Sequence, residues 1–223
     1  NLDPIKLEAI EEFDPGNRFG MPYMWGTTGV TYNADMIEAR LPNAPVDSYD
    51  LIFDPAVISK FSDCGVSFLD DPTSVVPMGM IYLGHPFNSV EPEHLEAVEE
   101  LFTAVRPYIK YFSSSKLTID LPSREVCIAM SWSGDYAVAI TRAREVGIDL
   151  NLKYAIPAEG GIGWYDMVFI PADASHSDNA HLFLNYLLRP NVIATVTNYI
   201  GYANANQAAN PLIIPEYYSD VAI

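Results

Sequence analysis

Basic residues are scarce. The 223-residue chain has 12 Lys and Arg against 29 Asp and Glu, a net charge of −17 and a pI near 4.3. A field of that sign repels nucleic acid and anionic membrane surfaces and draws in cations. Long apolar runs are also missing, so no segment approaches the ~20 residues of a membrane-spanning helix. The four histidines, His85, His94, His176 and His181, show no HExxH or other ligand spacing. No Cys/His cluster has zinc spacing, so neither a metal nor a cofactor is expected. G-x-S-x-G and GK[ST] are absent, which argues against a serine-hydrolase elbow and a phosphate cradle. Gly160-Gly161-Ile162-Gly163 lacks the rest of a dinucleotide fingerprint.

Only two cysteines occur, Cys64 and Cys127, each in a strand-like run. A bridge between neighbouring strands would suit an oxidising compartment and close a long loop, worth about 4 kcal/mol in the chain-entropy model. Two buried thiols are the alternative on composition. The chain opens on Asn1 without a signal segment, so it reads as a mature or truncated product.

What is present is the pattern of a sizeable core: 49% hydrophobic and 12% aromatic residues, with charged residues only 18%. Residues 19–33 are β-branched, aromatic and interrupted by glycine, and predict one long extended segment. Helices are predicted at 34–39, after Asp47, and at about 73–83, where Pro77 should kink the helix or delay its start. A strand precedes that last helix at 64–69. An amphipathic helix is predicted at about 93–106, a strand at 126–132 and a helix at 136–146 that stops at Gly147. Strands follow at 152–157 and 166–171, separated by a glycine-loosened loop. Ser177 should cap a helix with the apolar face Ala180, Phe183, Leu184, Leu187 and Leu188, and Pro190 should start another that ends at Gly201. Strands alternating with helices predict an α/β fold with mostly parallel sheets.

One theme recurs, a carboxylate near an aromatic at a strand end: Asp70-Asp71, Trp132 with Asp135, Trp164-Tyr165 with Asp166, and Tyr202 in Gly-Tyr-Ala-Asn-Ala-Asn. In α/β sheets the carboxyl ends of strands face the ligand crevice. An aromatic face attracts a cation and a carboxylate accepts charge-assisted hydrogen bonds from an ammonium, so such pairs suit an organic polycation. Singly each is weak, since a Trp after a strand is more often core and an Asp after Gly often caps a helix. Paired carboxylates also occur in acid hydrolases, but 29 acidic residues make chance pairs common. Tyr217-Tyr218 is similar to the tyrosine pairs of ferric-ion binders, with no partner ligand placed by the sequence, and reads as a packing or exposed pair.

The sequence resembles the periplasmic polyamine-binding proteins of ABC importers, and the putrescine branch most. The resemblance rests on Met21-Pro-Tyr-Met-Trp-Gly-Thr-Thr-Gly29, Ala44-Pro-Val-Asp-Ser48, Ser62-Asp-Cys-Gly-Val-Ser-Phe-Leu-Asp-Asp71, Trp132-Ser-Gly-Asp135 and Ile156-Pro-Ala-Glu-Gly160. It continues through Trp164-Tyr-Asp166, Pro171-Ala-Asp-Ala174, Phe183–Pro190 and Tyr202–Asn206, in order and over nearly the whole chain. It implies a two-lobed clamp, the ligand held between two α/β lobes joined by crossing strands. Residues 1–30 and 155–198 would be a partial first lobe with the crossing strands, and 31–154 and 199–223 the second lobe. It implies a Cys64–Cys127 disulfide, a monomer in the periplasm, a polyamine ligand (putrescine or spermidine) and a membrane permease as partner, with no catalysis. Trp132 and Trp164 would be walls against the methylene chain, Asp135 and Asp166 ammonium acceptors and Tyr202 a cleft-edge contact. Asp71 falls where spermidine binders use an Asp, and Ser74 where both branches usually carry Glu. The family has further residues before Asn1 and past Ile223, so the chain reads as a fragment whose first lobe is incomplete. The alternatives are a binder of another cationic or amino-acid-like solute on the same fold, and an acid hydrolase using Asp166 with a second carboxylate.

Overall fold

A computed structural model describes residues 2–215. Helices and strands follow in the order α1 (Pro4–Ile10), β1 (Gly20–Asn33), α2 (Ala34–Glu38), α3 (Asp50–Phe53), α4 (Pro55–Ile58), β2 (Val66–Phe68) and α5 (Pro72–Tyr82). Next come α6 (Pro92–Val105), β3 (Tyr111–Phe112), α7 (Leu117–Asp120), β4 (Ile128–Trp132), α8 (Ser133–Glu145) and β5 (Leu152–Ala155). The order ends with β6 (Ile162–Phe169), α9 (Ser177–Leu187), α10 (Pro190–Ile200) and β7 (Ala203–Asn204). The described residues form two units, one of residues 2–26 together with 163–215, the other Thr27–Ile162. The class is α/β, as the alternation of strands and helices predicts.

In the Thr27–Ile162 unit the strand order is β3-β2-β4-β1-β5. β2 runs parallel to β3 and β4, while β1 is antiparallel to β4 and β5, with Val30 opposite both Met130 and Ala155. This half of β1 is buried almost continuously, as a strand flanked on both edges and covered on both faces must be. Its helices close over a core of Tyr49, Leu51, Phe53, Phe61 and Phe68, all fully buried. Phe53 meets Phe102 and Phe68 edge-on at ring separations of 5.5 and 6.0 Å, the arrangement aromatic quadrupoles favour. Cys64 and Cys127 precede the neighbouring strands β2 and β4, and their disulfide spans a Cα–Cα distance of 5.5 Å.

Several boundaries differ from the sequence expectation. α5 is not delayed to Pro77, because Asp71 caps it and Pro72 occupies its first turn. α8 starts at Ser133 rather than 136, since the Ser133 hydroxyl already accepts the Thr27 N–H at 3.3 Å. The segment expected to be a loose glycine loop is pinned: Glu159 accepts from the Ser48 hydroxyl (2.5 Å) and the Tyr49 N–H (3.1 Å), and the Ala158 N–H donates to the Asp47 carbonyl (2.7 Å). β6 begins at Ile162 and ends at Phe169, four residues before and two residues short of the expected limits.

β1 also pairs with β6, and with β7 in the other unit, Met24 facing Asn204 and Trp25 facing Ala203. The segment from Gly201 to Leu212 therefore lies with this unit. Asp14 holds the entry to β1 by accepting the N–H groups of Arg18, Phe19 and Gly20, each at 3.0 Å. These bonds, Gly20's first, hold its carboxyl below the usual range. α10 ends where expected, Gly201 taking a left-handed φ of 76°. Ser177 does not cap α9: His176 occupies that position and no side chain bonds the helix start. The expected apolar face of α9 is only partly covered. Leu184, Leu187 and Leu188 are half-buried, but Phe183 lies about 100° round the helix from Leu184 and is exposed.

Two stability tests follow. Replacing Cys64 and Cys127 by Ser, or reducing the bridge, is expected to lower the unfolding free energy by about 4 kcal/mol, because 63 residues separate the two. Urea unfolding with and without reductant measures it, and coincident curves would contradict it. A Cβ on Gly29 would sit 2.5 Å from the Ala155 carbonyl oxygen and 2.8 Å from the Tyr154 ring. Gly29→Ala should therefore cost about 1–3 kcal/mol by the same measurement; unchanged stability would refute the close packing of β1 on β5.

Candidate functional site

The seven residues singled out by sequence fall into two sets, one in each unit. In the Thr27–Ile162 unit, β4 ends at Trp132 and passes directly into α8. Trp132 stands opposite Thr28 of β1, which fixes where the indole leaves the sheet. Its N–H donates to the Ser74 hydroxyl at 3.1 Å, and that hydroxyl donates to Asp71 Oδ2 at 2.6 Å. Ser74 is buried on the first turn of α5. Asp71 Oδ1 accepts both the backbone N–H of Thr73 (3.1 Å) and its hydroxyl (2.7 Å). Burial raises the Asp71 carboxyl, but the bonds from Ser74 and Thr73 outweigh it and hold the group below the usual Asp value. Asp71, Ser74 and Trp132 thus form one hydrogen-bonded chain across two elements. Asp135, half-buried, lies three residues past Trp132 in the first turn of α8, where the helix dipole favours a negative charge.

In the other unit, Trp164 and Asp166 are two residues apart on β6 and so share a face. The Trp164 ring packs on Tyr202 with centroids 5.4 Å apart and planes tilted by 56°. Its indole N–H is buried with no hydrogen-bond acceptor among the described residues. Asp166 is exposed as a residue, yet neighbouring atoms strip part of its hydration and raise its carboxyl above the usual value. Tyr23, on β1, has its phenol pushed up by burial and then by the Asp166 charge.

Tyr23 is one of the residues the sequence reading missed. Trp25 is another: its ring lies 6.5 Å from that of Tyr165, which the sequence had grouped with Trp164 and Asp166, and the Lys6 ammonium sits 3.5 Å from the Trp25 ring centroid. An ammonium therefore already rests on an indole face here, a cation–π contact worth about 0.5–2 kcal/mol. The available signal was Tyr23-x-Trp25 in an extended segment, since alternate residues of a strand share a face.

The other chemistry-bearing residues go elsewhere. His85 and His94 stack at 3.8 Å, and His94 Nδ1 bonds the Ser89 hydroxyl at 2.8 Å. Among the described residues no three His, Cys, Asp or Glu side chains group as metal ligands, and no helix is long and apolar enough to cross a membrane. Tyr217 and Tyr218 lie outside the described residues.

The whole chain, residues 1–223, matches the family of bacterial extracellular solute-binding proteins. It belongs to that family. Within it, the chain is 43% identical over 224 residues to the putrescine-binding periplasmic protein SpuD of Pseudomonas aeruginosa, covering 100% of this chain and 61% of the relative. It is 45% identical over 218 residues to the putrescine-binding periplasmic protein PotF of Escherichia coli, covering 97% and 59%. It superposes on the crystal structure of the spermidine/putrescine ABC transporter substrate-binding protein PotD of Streptococcus pneumoniae with a TM-score of 0.76 at 28% identity, covering 99% and 62%. The chain thus spans about 60% of the length of the relatives it matches.

Asp166 gives a pH prediction with a definite sign. A carboxyl raised in the folded state contributes stability that is present below its unfolded pKa and lost as pH rises through the folded value. Asp166→Asn should therefore be no less stable than the parent at pH 7, and should let the Tyr23 phenol titrate closer to its ordinary 10.0. Nuclear magnetic resonance titration of Tyr23 reads this directly; an unmoved midpoint would contradict the proximity of the two groups.

Proposed function

We propose that the protein is an extracytoplasmic receptor that captures a polyamine, putrescine or spermidine, in the periplasm and delivers it to the permease of an ABC importer. It acts as a monomer and does no chemistry on its ligand. The observation that carries this reading is Asp166, a partly desolvated carboxylate on the same strand face as Trp164, whose ring leans on Tyr202. Such a group is costly to hold charged without a partner, and an ammonium supplies one. Asp135 is assigned as the second acceptor, and Trp132, Trp164 and Tyr202 as surfaces for the methylene chain. Asp71 and Ser74 join the set through their bonds to Trp132. The putrescine binders that match along the chain and the −17 charge support the same ligand class.

The test is calorimetric titration of the complete gene product with putrescine, spermidine and cadaverine in low salt. At least one should bind with measurable heat. Asp166→Asn should weaken that binding about 10- to 150-fold, the range of a charge-assisted hydrogen bond of about 1.5–3 kcal/mol. Silence with all three amines would overturn the reading. Heat with an amino-acid-like cation alone would redirect it to that solute on the same fold.

A further inference from the structure

The chain Trp132 N–H to Ser74 Oγ to Asp71 Oδ2 has a direction. Each hydrogen is donated towards the carboxylate, so the negative charge of Asp71 orients the Ser74 hydroxyl, and the oriented hydroxyl leaves its lone pair to the indole. Ser74 is buried, 7% exposed, and its one hydroxyl proton is committed to Asp71. Asp71 is committed too: Oδ2 takes Ser74, and Oδ1 takes the backbone N–H and hydroxyl of Thr73 at the start of α5. A carboxylate that accepts three hydrogen bonds within its own helix turn is poorly placed to pair with an ammonium as well. The indole it serves is only half-buried and lies at the carboxyl end of β4.

We infer that Asp71 is a positioning residue that sets the plane of the Trp132 ring through Ser74, and that it does not itself accept an ammonium. This deepens the proposed function and rests on it: Trp132 is a ligand wall, and the relay fixes the face it offers. The ammonium acceptors are then Asp135 and Asp166. The residue at 74 becomes a determinant of ring placement, because only a short hydroxyl can both accept from the indole and donate to the cap of α5.

The test has two arms. The first needs no ligand. In a 15N-labelled sample of the protein, Trp132→Phe identifies the indole N–H signal that matters. Ser74→Ala should shift the Trp132 signal and speed its hydrogen exchange about tenfold, while Ser74→Thr, which keeps a hydroxyl, should leave it near the parent position. Asp71→Asn should shift the same signal although the hydrogen bonds link residue 71 to Trp132 only through Ser74; Asn still caps a helix, so α5 should remain formed. A Trp132 signal that ignores Asp71→Asn would overturn the relay.

The second arm measures putrescine affinity by calorimetry for the parent, the two single variants and the double variant. If Asp71 acts only through Ser74, then Asp71→Asn weakens binding in the parent but adds no further loss once Ser74 is Ala. A further loss of tenfold or more in the Ser74→Ala background would show direct ammonium contact and overturn the inference. If the parent binds no amine, the proposed function fails, and the first arm still decides whether the relay exists.

Discussion

Trp132, half-buried, gives its indole N–H to another element, and the rest of the Thr27–Ile162 site follows from that bond. Its partner is a serine hydroxyl on a different element, aimed by a helix-capping carboxylate. That arrangement depends on β4 ending opposite Thr28 and on α5 starting at Pro72. Both are set by hydrogen bonding close to the site: the Ser133 hydroxyl takes the Thr27 N–H, and Asp71 caps α5. A local capping motif has been coupled to an aromatic surface, so helix geometry and ring orientation cannot vary independently.

The other unit solves a related problem differently. Trp164 leans on Tyr202, and Asp166 sits on the same strand face with its carboxyl partly desolvated. There the charge is raised in energy by its surroundings, while Asp71 is lowered by the bonds it accepts. Two carboxylates that look equivalent in sequence are thus prepared for different tasks. The first accepts three hydrogen bonds from its own helix turn; the second, short of donors, is the one proposed to meet a cationic guest.

Much of this was legible in the sequence, and the reasons it failed elsewhere are physical. β1 was readable because fourteen residues of β-branched, aromatic and glycine character admit little else. α6 and α10 were readable from periodicity and from Pro and Gly at their ends. The start of β6 was missed because Gly161 and Gly163 look like loop, whereas Ile162 onward pairs with β1. Ser177 was read as a cap from its type, but capping depends on φ/ψ that sequence does not reveal. The carboxylate–aromatic theme supplied the residues proposed for binding in each unit except Ser74, which came from the family resemblance. It could not distinguish a carboxylate already accepting three hydrogen bonds from one with few donors, because that depends on Ser74 and Thr73 folding back onto Asp71. Tyr23 and Trp25 were passed over because their significance lies in what β6 brings beside them.

The account stands on recognition of positive charge at both ends of a short aliphatic chain. The most direct measurement compares putrescine with butane-1,4-diol, which has the same carbon chain and hydrogen-bonding ends but no charge, by calorimetry on the complete gene product. The account predicts that the diol gives no heat even at a hundredfold the concentration at which the amine, putrescine or else spermidine, binds. Equal affinity for the two would contradict it.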